Sequence, residues 1–490
     1  MLQTSLLQSF ILDFYMMTHR RSHVRTMVGA LAVALAVAPS LAAAQHIGRT
    51  HWDSTARDLF KELVEINTSE SSGSTLKAAQ AMAARLKTAG FPDSDVVVIQ
   101  QTDRKGDLVA RLRGRNVTRK PLLLLSHLDV VEAKPEDWTL PPFTFTEKDS
   151  TFYGRGVADD KDDGAMHLTT IMRLRAEGYA GDRDIIVALT TDEEGGSNNG
   201  VEYLLAHHRP LIEAEYAFNE GGGGRVRDGK YLSHDIQASE KKYVDFTLET
   251  TNPGGHSSRP VKDNAITELS AALVKVGAFD FPVKLNEITR TYFERSAAIT
   301  PGAMGEAMKA LAKDPTNAKA IATLSSDPGY NSQMRTSCVA TMLSGGHAPN
   351  ALPQRARANV NCRILPDATT EDVQATLVRV IGDPRVKVST DRAARNSPPS
   401  PLTGQLMGEV ERVTKEMWPG VPVIPTMSTG ATDGLYLRNA GIPVYGVSGF
   451  FYTDTFAHGM NERIPQKGFF DGIEFMYRLV KRVTMPSAVQ

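Results

Sequence analysis

Three short apolar runs in the first half of the chain each end in acid or imidazole side chains, and this confines the fold more than any other feature. Leu122-Leu123-Leu124-Leu125 leads into Ser126-His127-Leu128-Asp129. Ile185-Ile186-Val187-Ala188-Leu189 leads into Asp192-Glu193-Glu194, and Ala214-Glu215-Tyr216-Ala217-Phe218 leads into Asn219-Glu220. Continuous apolar runs of this length read as strands buried on both faces, as in a parallel sheet covered by helices. The expected fold class is therefore α/β, with metal-binding or acid/base groups gathered at strand ends.

Each segment is ambiguous alone. The two-residue period of a strand turns His127 and Asp129 to one face, which suits a metal ligand and the carboxylate that orients it through the other ring nitrogen. A buried His-Asp hydrogen bond fits the same residues. Asp159 follows the turn Gly154-Arg155-Gly156 and precedes a helix expected from about Asp163 to Glu177, so it is suited to bridge two metals. The run Asp159, Asp160, Asp162 and Asp163 also fits a solvated acidic helix start. Of the adjacent pair at the second strand end, Glu193 suits the base that takes a proton from water and returns it to a leaving nitrogen, and Glu194 suits a ligand. Glu220, and His458 in the late segment His458-Gly459-Met460-Asn461-Glu462, complete a set of five. Two divalent cations held close together need about five protein ligands and a bridging water. That requirement is the reason to read the segments together, as the site of a hydrolase with two divalent metal ions.

The ordered set resembles the dinuclear zinc metallopeptidase family of glutamate carboxypeptidase, aminoacylase, carboxypeptidase S and succinyl-diaminopimelate desuccinylase, from about His51 to about Val483. The resemblance implies that His127 and Glu220 hold one zinc and Glu194 and His458 the other. Asp159 would bridge them, Glu193 would act as general base, and Asp129 would support His127 from behind. It also implies a cis peptide at Asp159-Asp160. Gly254-Gly255-His256-Ser257-Ser258-Arg259-Pro260 is similar to the loop whose histidine reaches the substrate carbonyl, in several relatives from the partner subunit, so His256 is expected to stabilise the oxyanion. Asn350 and Arg363 match positions that contact the substrate carboxylate in relatives, and an arginine fork suits that role. Gly430-Ala431-Thr432-Asp433 departs mildly from a segment usually opening with two glycines, and Arg155 reads as structural.

With 490 residues, 41% hydrophobic content and a formal net charge of −1, the chain is long enough for two cores and offers no case for nucleic acid. Basic residues from His19 to Arg25, the apolar run Met27 to Val37 and the small residues Leu41-Ala42-Ala43-Ala44 read as an export signal over residues 1–44. Export to a periplasm or the cell exterior follows, with no stable membrane insertion after cleavage. Cys338 and Cys362 lie in two strand-like runs expected to be antiparallel neighbours, where a disulfide and two free thiols fit equally.

Helices and strands alternate over residues 45–237 and again over 394–490, giving a discontinuous metal-binding domain with a mostly parallel sheet. Residues 238–393 change order and read as an inserted smaller α+β, ferredoxin-like lid and dimerisation domain, through which a homodimer would form. Within it an alanine-rich helical stretch from about Phe279 to Ser332 resembles the extended small domain of the carboxypeptidase S branch. It could shape a substrate pocket or a dimer contact.

The combined reading is an exported zinc amidohydrolase acting on a small peptide or N-acyl amino acid, next to a free carboxylate. A zinc aminopeptidase that recognises a free amino terminus is the alternative enzyme. A non-catalytic binding protein on the same fold would be expected to have lost the base or a ligand, and this chain retains them.

Overall fold

A computed structural model describes residues 50–485; the expected export signal lies outside the described residues. The main sheet runs in the order Val96–Gln100, Gly106–Leu112, Ile185–Thr190, Leu122–His127, Tyr216–Asn219, Val444–Gly446, Lys230–Glu240 and Val423–Ser428. Its centre is parallel: Leu122–His127 pairs in parallel with both Ile185–Thr190 and Tyr216–Asn219, and the latter with Val444–Gly446. The expected α/β class is met.

The continuous leucine run is explained by burial on both faces. Leu122 and Leu124 enter one core with Ile185, Val187 and Leu189, while Leu123 and Leu125 enter a second core with Ile186 and Ala188. Helices His51–Glu65, Thr75–Thr88, Lys161–Ala176, Gly404–Met417 and Gln466–Thr484 cover the first face, and Gly200–His207 and Gly434–Asn439 the second. Each fully buried leucine contributes about 2 kcal/mol by leaving water, and the four together supply both cores.

A separate antiparallel sheet has the order Ser337–Gly345, Arg355–Ile364, Lys242–Thr251, Lys387–Ser389. Helices Ala265–Gly277 and Thr370–Ile381 cover it around Phe246, Leu269, Val360 and Leu377. Cys338 and Cys362 face each other across two of its strands and are joined by a disulfide, which decides between the two states the sequence left open.

The helical stretch expected at 279–332 forms four helices between Glu287 and Met334, with a core of Phe293, Met308, Leu311 and Leu324. That core also takes in Ile424 from the main sheet's outermost strand, Val423–Ser428. The four helices therefore ride on the main sheet, while Phe279 and Phe281 at the start of the stretch join the core of the smaller one.

His234 ties this sheet to two later segments. It is fully buried and bonds to Thr414 Oγ1 at 2.7 Å and to the carbonyl of Ser448. Burial pushes its pKa down from 6.5 to about 4. In the unfolded chain the imidazole takes up a proton near pH 6.5, whereas the native one stays neutral until about pH 4. Stability is therefore present above pH 6.5 and is lost as pH falls through this window, by up to about 3 kcal/mol. Denaturant melts of wild type and His234→Gln across pH 7 to 4 check this: the variant should start less stable and lose less on acidification. Parallel losses would reject it.

Candidate metal centre

The parallel strands deliver their polar ends to one rim. His127 is the last residue of its strand, Glu220 follows Tyr216–Asn219, and Glu193 and Glu194 follow Ile185–Thr190. His458 arrives from a late loop in left-handed backbone, φ 61°.

Asp159 stands between the two histidines. Its Oδ1 is 3.0 Å from His127 Nε2, and its Oδ2 is 3.0 Å from His458 Nε2. His458 Nε2 also lies 2.8 Å from Glu194 Oε1. Two groups of donor atoms result, His127 with Asp159 and Glu220, and Asp159 with Glu194 and His458, each with its atoms within 4.8 Å of one another. Asp159 is common to both, as the five-residue reading expects. The peptide bond between Asp159 and Asp160 is cis.

Asp129 differs from its expected contact. His127 Nδ1 meets the Asp129 backbone carbonyl at 3.0 Å, and the carboxylate lies farther off at 3.8 Å. The carboxylate instead accepts hydrogen bonds from the backbone N–H groups of Glu193 at 3.1 Å and Glu194 at 2.9 Å. Those paired donors are nearer and better aligned than the ring, so the carboxylate fixes the turn that presents Glu193 and Glu194, while its own main chain orients the histidine.

Other supports were not singled out from the sequence. Lys105 Nζ pairs with Asp192 at 2.6 Å, both side chains being buried. Asp192 has φ 60° and precedes the Glu193-Glu194 pair. Asn199 donates to the Asp192 carbonyl and to Asp433 Oδ1. Glu462 accepts from the N–H groups of Gly156 and Ala158 and pairs with Arg155 Nη1 at 2.6 Å. Arg155 in turn donates to the carbonyl of Gly459 at 3.0 Å. The pair thus joins the turn carrying Asp159 to the loop carrying His458, giving Arg155 its structural role. The signal for Glu462 lay in the same late segment as His458; Lys105 carries no local signal.

The electrostatics of the side chains alone are unfavourable to ionised carboxylates. Burial and the charge of Asp159 push Glu194 up to about 7. Burial, with the nearby charges of Asp433, Glu194 and Asp129, drives Glu193 well above the usual range, and burial with Glu193 does the same to Glu220. His458 is pushed up to about 9, first by its hydrogen bond to Asp159. Burial opposes ionisation of Asp159, but the two histidines hold it well below its ordinary value. Two imidazoles and three carboxylates, crowded and short of positive charge, form a donor set that fits divalent cations. Loading the site would expel protons.

The remaining candidates lie elsewhere. Gly255–His256 pairs with Ala351–Leu352, and Asn350 accepts from Ser257 N–H, so His256 and Asn350 are neighbours at an exposed tip. Arg363 sits opposite Tyr243 in the smaller sheet, with its guanidinium 4.8 Å from that ring. A cavity of about 590 Å3 opens onto Asp159 and Glu220, and neither His256, Asn350 nor Arg363 lines it.

A family model described as Peptidase family M20/M25/M40 matches residues 123–482. The chain belongs to this peptidase family. It is 29% identical over 390 residues to "Probable carboxypeptidase S-like 2" of Dictyostelium discoideum, covering 76% of this chain and 74% of that protein. It is 26% identical over 397 residues to mouse "N-fatty-acyl-amino acid synthase/hydrolase PM20D1", covering 76% of this chain and 75% of the relative. In fold it is similar to an M20 family metallo-carboxypeptidase from Sulfolobus solfataricus, with a TM-score of 0.65, 19% identity, and coverage of 87% of this chain and 98% of the other. As an M20 member the chain is an enzyme of the peptidase and amidohydrolase class.

Removing the carboxylate that joins the two loops should loosen the metal residues without touching them. Glu462→Gln is expected to weaken divalent-cation binding roughly 10- to 100-fold, measured with added zinc by competition with a chromophoric chelator on protein shown to be folded by circular dichroism. Unchanged affinity would remove Glu462 from this supporting role.

Proposed function

We propose that this M20 enzyme is an exported, zinc-dependent amidohydrolase that cleaves a peptide or amide bond next to a free carboxylate in short peptides or N-acyl amino acids. The observation that carries the reading is the division of Asp159, one carboxylate oxygen beside His127 and the other beside His458. In this reading His127 and Glu220 hold one ion, Glu194 and His458 the other, and Asp159 both.

When bound, the ions polarise the scissile carbonyl and lower the pKa of a coordinated water towards about 7. The chain's own task is proton movement. Glu193, its main chain pinned by Asp129, accepts a proton at its carboxylate and delivers it to the leaving nitrogen.

His256, Asn350 and Arg363 act in this reading from the segment 238–393, taken as an inserted lid and dimerisation domain. They would meet the substrate after domain closure or from a second copy of the chain. The edge strand Ser337–Gly345, which exposes Val339, Met342 and Leu343, supports a homodimer through this domain. The chain leaves the main sheet at Glu240, whose carboxylate accepts from Ser397 Oγ after the return and pairs with Arg438, a buried anchor for such a movement. The names of the carboxypeptidase S-like and N-fatty-acyl-amino acid relatives support the substrate class.

Hydrolysis of dipeptides, N-acyl amino acids and C-terminally amidated controls tests the reading. Cleavage of the free-carboxylate substrates should disappear with chelator, return with zinc, fall at least about a thousandfold in Glu193→Gln, and be absent from amidated controls. Turnover that needs a free amino group and ignores the carboxylate would replace it with an aminopeptidase. No turnover of the panel by the metal-loaded protein would reject it.

A further inference from the structure

The cavity beside Asp159 and Glu220 is walled by two chain segments that the metal residues do not account for. The first is the strand Gly223–Arg227, which begins three residues after Glu220 and brings Arg225 into the cavity. The second is the helical insertion, which contributes Tyr292 and Gln333. Gln333 Nε2 donates to the Met427 carbonyl at 2.8 Å, and Arg295 donates to that of Val423 at 2.7 Å, so the insertion is hydrogen-bonded to the main sheet's edge where the cavity forms.

Arg225 is the only cationic side chain lining this cavity, among the described residues. One edge of its guanidinium is occupied: Nε lies 2.8 Å from Ser233 Oγ and 2.7 Å from Asp235 Oδ2, and Nη2 lies 3.3 Å from Asp235 Oδ1. The Tyr292 ring, from the insertion, stands 5.9 Å away. Nη1 has no protein hydrogen bond among the described residues, and the side chain remains 36% exposed. A guanidinium carries five N–H donors in a planar fork, so an arginine fixed along one edge can still take a carboxylate on another. Asp235 and Ser233 hold its orientation in advance, which reduces the side-chain entropy lost on binding.

We propose that the insertion completes a distal subsite in which Arg225, backed by Tyr292, pairs with a carboxylate on the acyl portion of the substrate. The assignment to the acyl side rests on the proposed function, in which Arg363 of the smaller sheet reads the α-carboxylate and leaves the cavity on the Glu220 side to the other half of the substrate. The preferred class is then an amino acid acylated by a dicarboxylic acid, or a short peptide with an acidic amino-terminal residue. A plain alkyl acyl chain would find Met427, Phe450 and Tyr452 in the same wall but would leave Nη1 without a partner.

The test compares N-glutaryl and N-pentanoyl derivatives of one amino acid, which share the scissile bond and differ at the distal carboxylate. Wild type should turn over the glutaryl substrate with the higher kcat/KM. Arg225→Met should lower that value roughly tenfold or more, chiefly through KM, and leave the pentanoyl substrate within about threefold. Arg225→Lys should restore part of the ratio, since it keeps the charge and loses the fork. A wild-type preference for pentanoyl, or an equal fall on both substrates in Arg225→Met, would overturn the subsite. Cleavage of neutral peptides with neither acyl derivative accepted would also overturn it while leaving the proposed function standing. Absence of metal-dependent hydrolysis altogether would reject the reading on which it rests.

Discussion

The centre of this molecule depends on one electrostatic conflict. Asp159, Glu193, Glu194 and Glu220 are brought together at the rim of a sheet with His127 and His458 as the neighbouring positive partners, in surroundings where burial removes the water that would stabilise ionised carboxylates. Like charges at such separations repel strongly at low effective dielectric. Protons relieve the conflict in the protein alone, and divalent cations would relieve it in the loaded enzyme. An arrangement so costly without positive charge is one that folding tolerates only because the surrounding structure over-determines it.

That surrounding structure consists of main-chain contacts made by side chains far apart in sequence. Asp129 holds the Glu193-Glu194 turn through two N–H groups, and Lys105 holds the carboxylate of Asp192, a non-glycine residue in left-handed backbone. Glu462 and Arg155 join the Asp159 turn to the His458 loop. Each is a charged group buried with its partners, so its loss leaves buried polar groups without a partner, and the expected damage is to geometry at the candidate metal residues more than to the cores beneath them.

Much was legible in advance because it rests on local pattern. The leucine run announced burial on both faces, and the helix expected from about Asp163 to Glu177 is observed at Lys161–Ala176. The five candidate metal residues could be picked out because each ends a strand or sits in a glycine turn. The role of Asp129 was not legible: a two-residue spacing places it beside His127, but which of its oxygens faces the ring depends on where the next strand's turn arrives. Lys105 was equally hidden, since its partner lies 87 residues away. The insertion read as helical from composition, yet its seat on Ile424 required the return of the chain after the smaller sheet.

By itself the sequence determined the alternation that builds the sheet, the types of side chain at its rim, and hence the class of chemistry, because periodicity and donor type are local properties. The tertiary structure alone decided that Cys338 meets Cys362, that Asp159 divides its oxygens between two histidines, and that Arg225 and Tyr292 share one cavity. These are contacts between segments separated by tens to hundreds of residues, and they exist only once the hydrophobic cores have fixed the distance and angle between the elements that carry them.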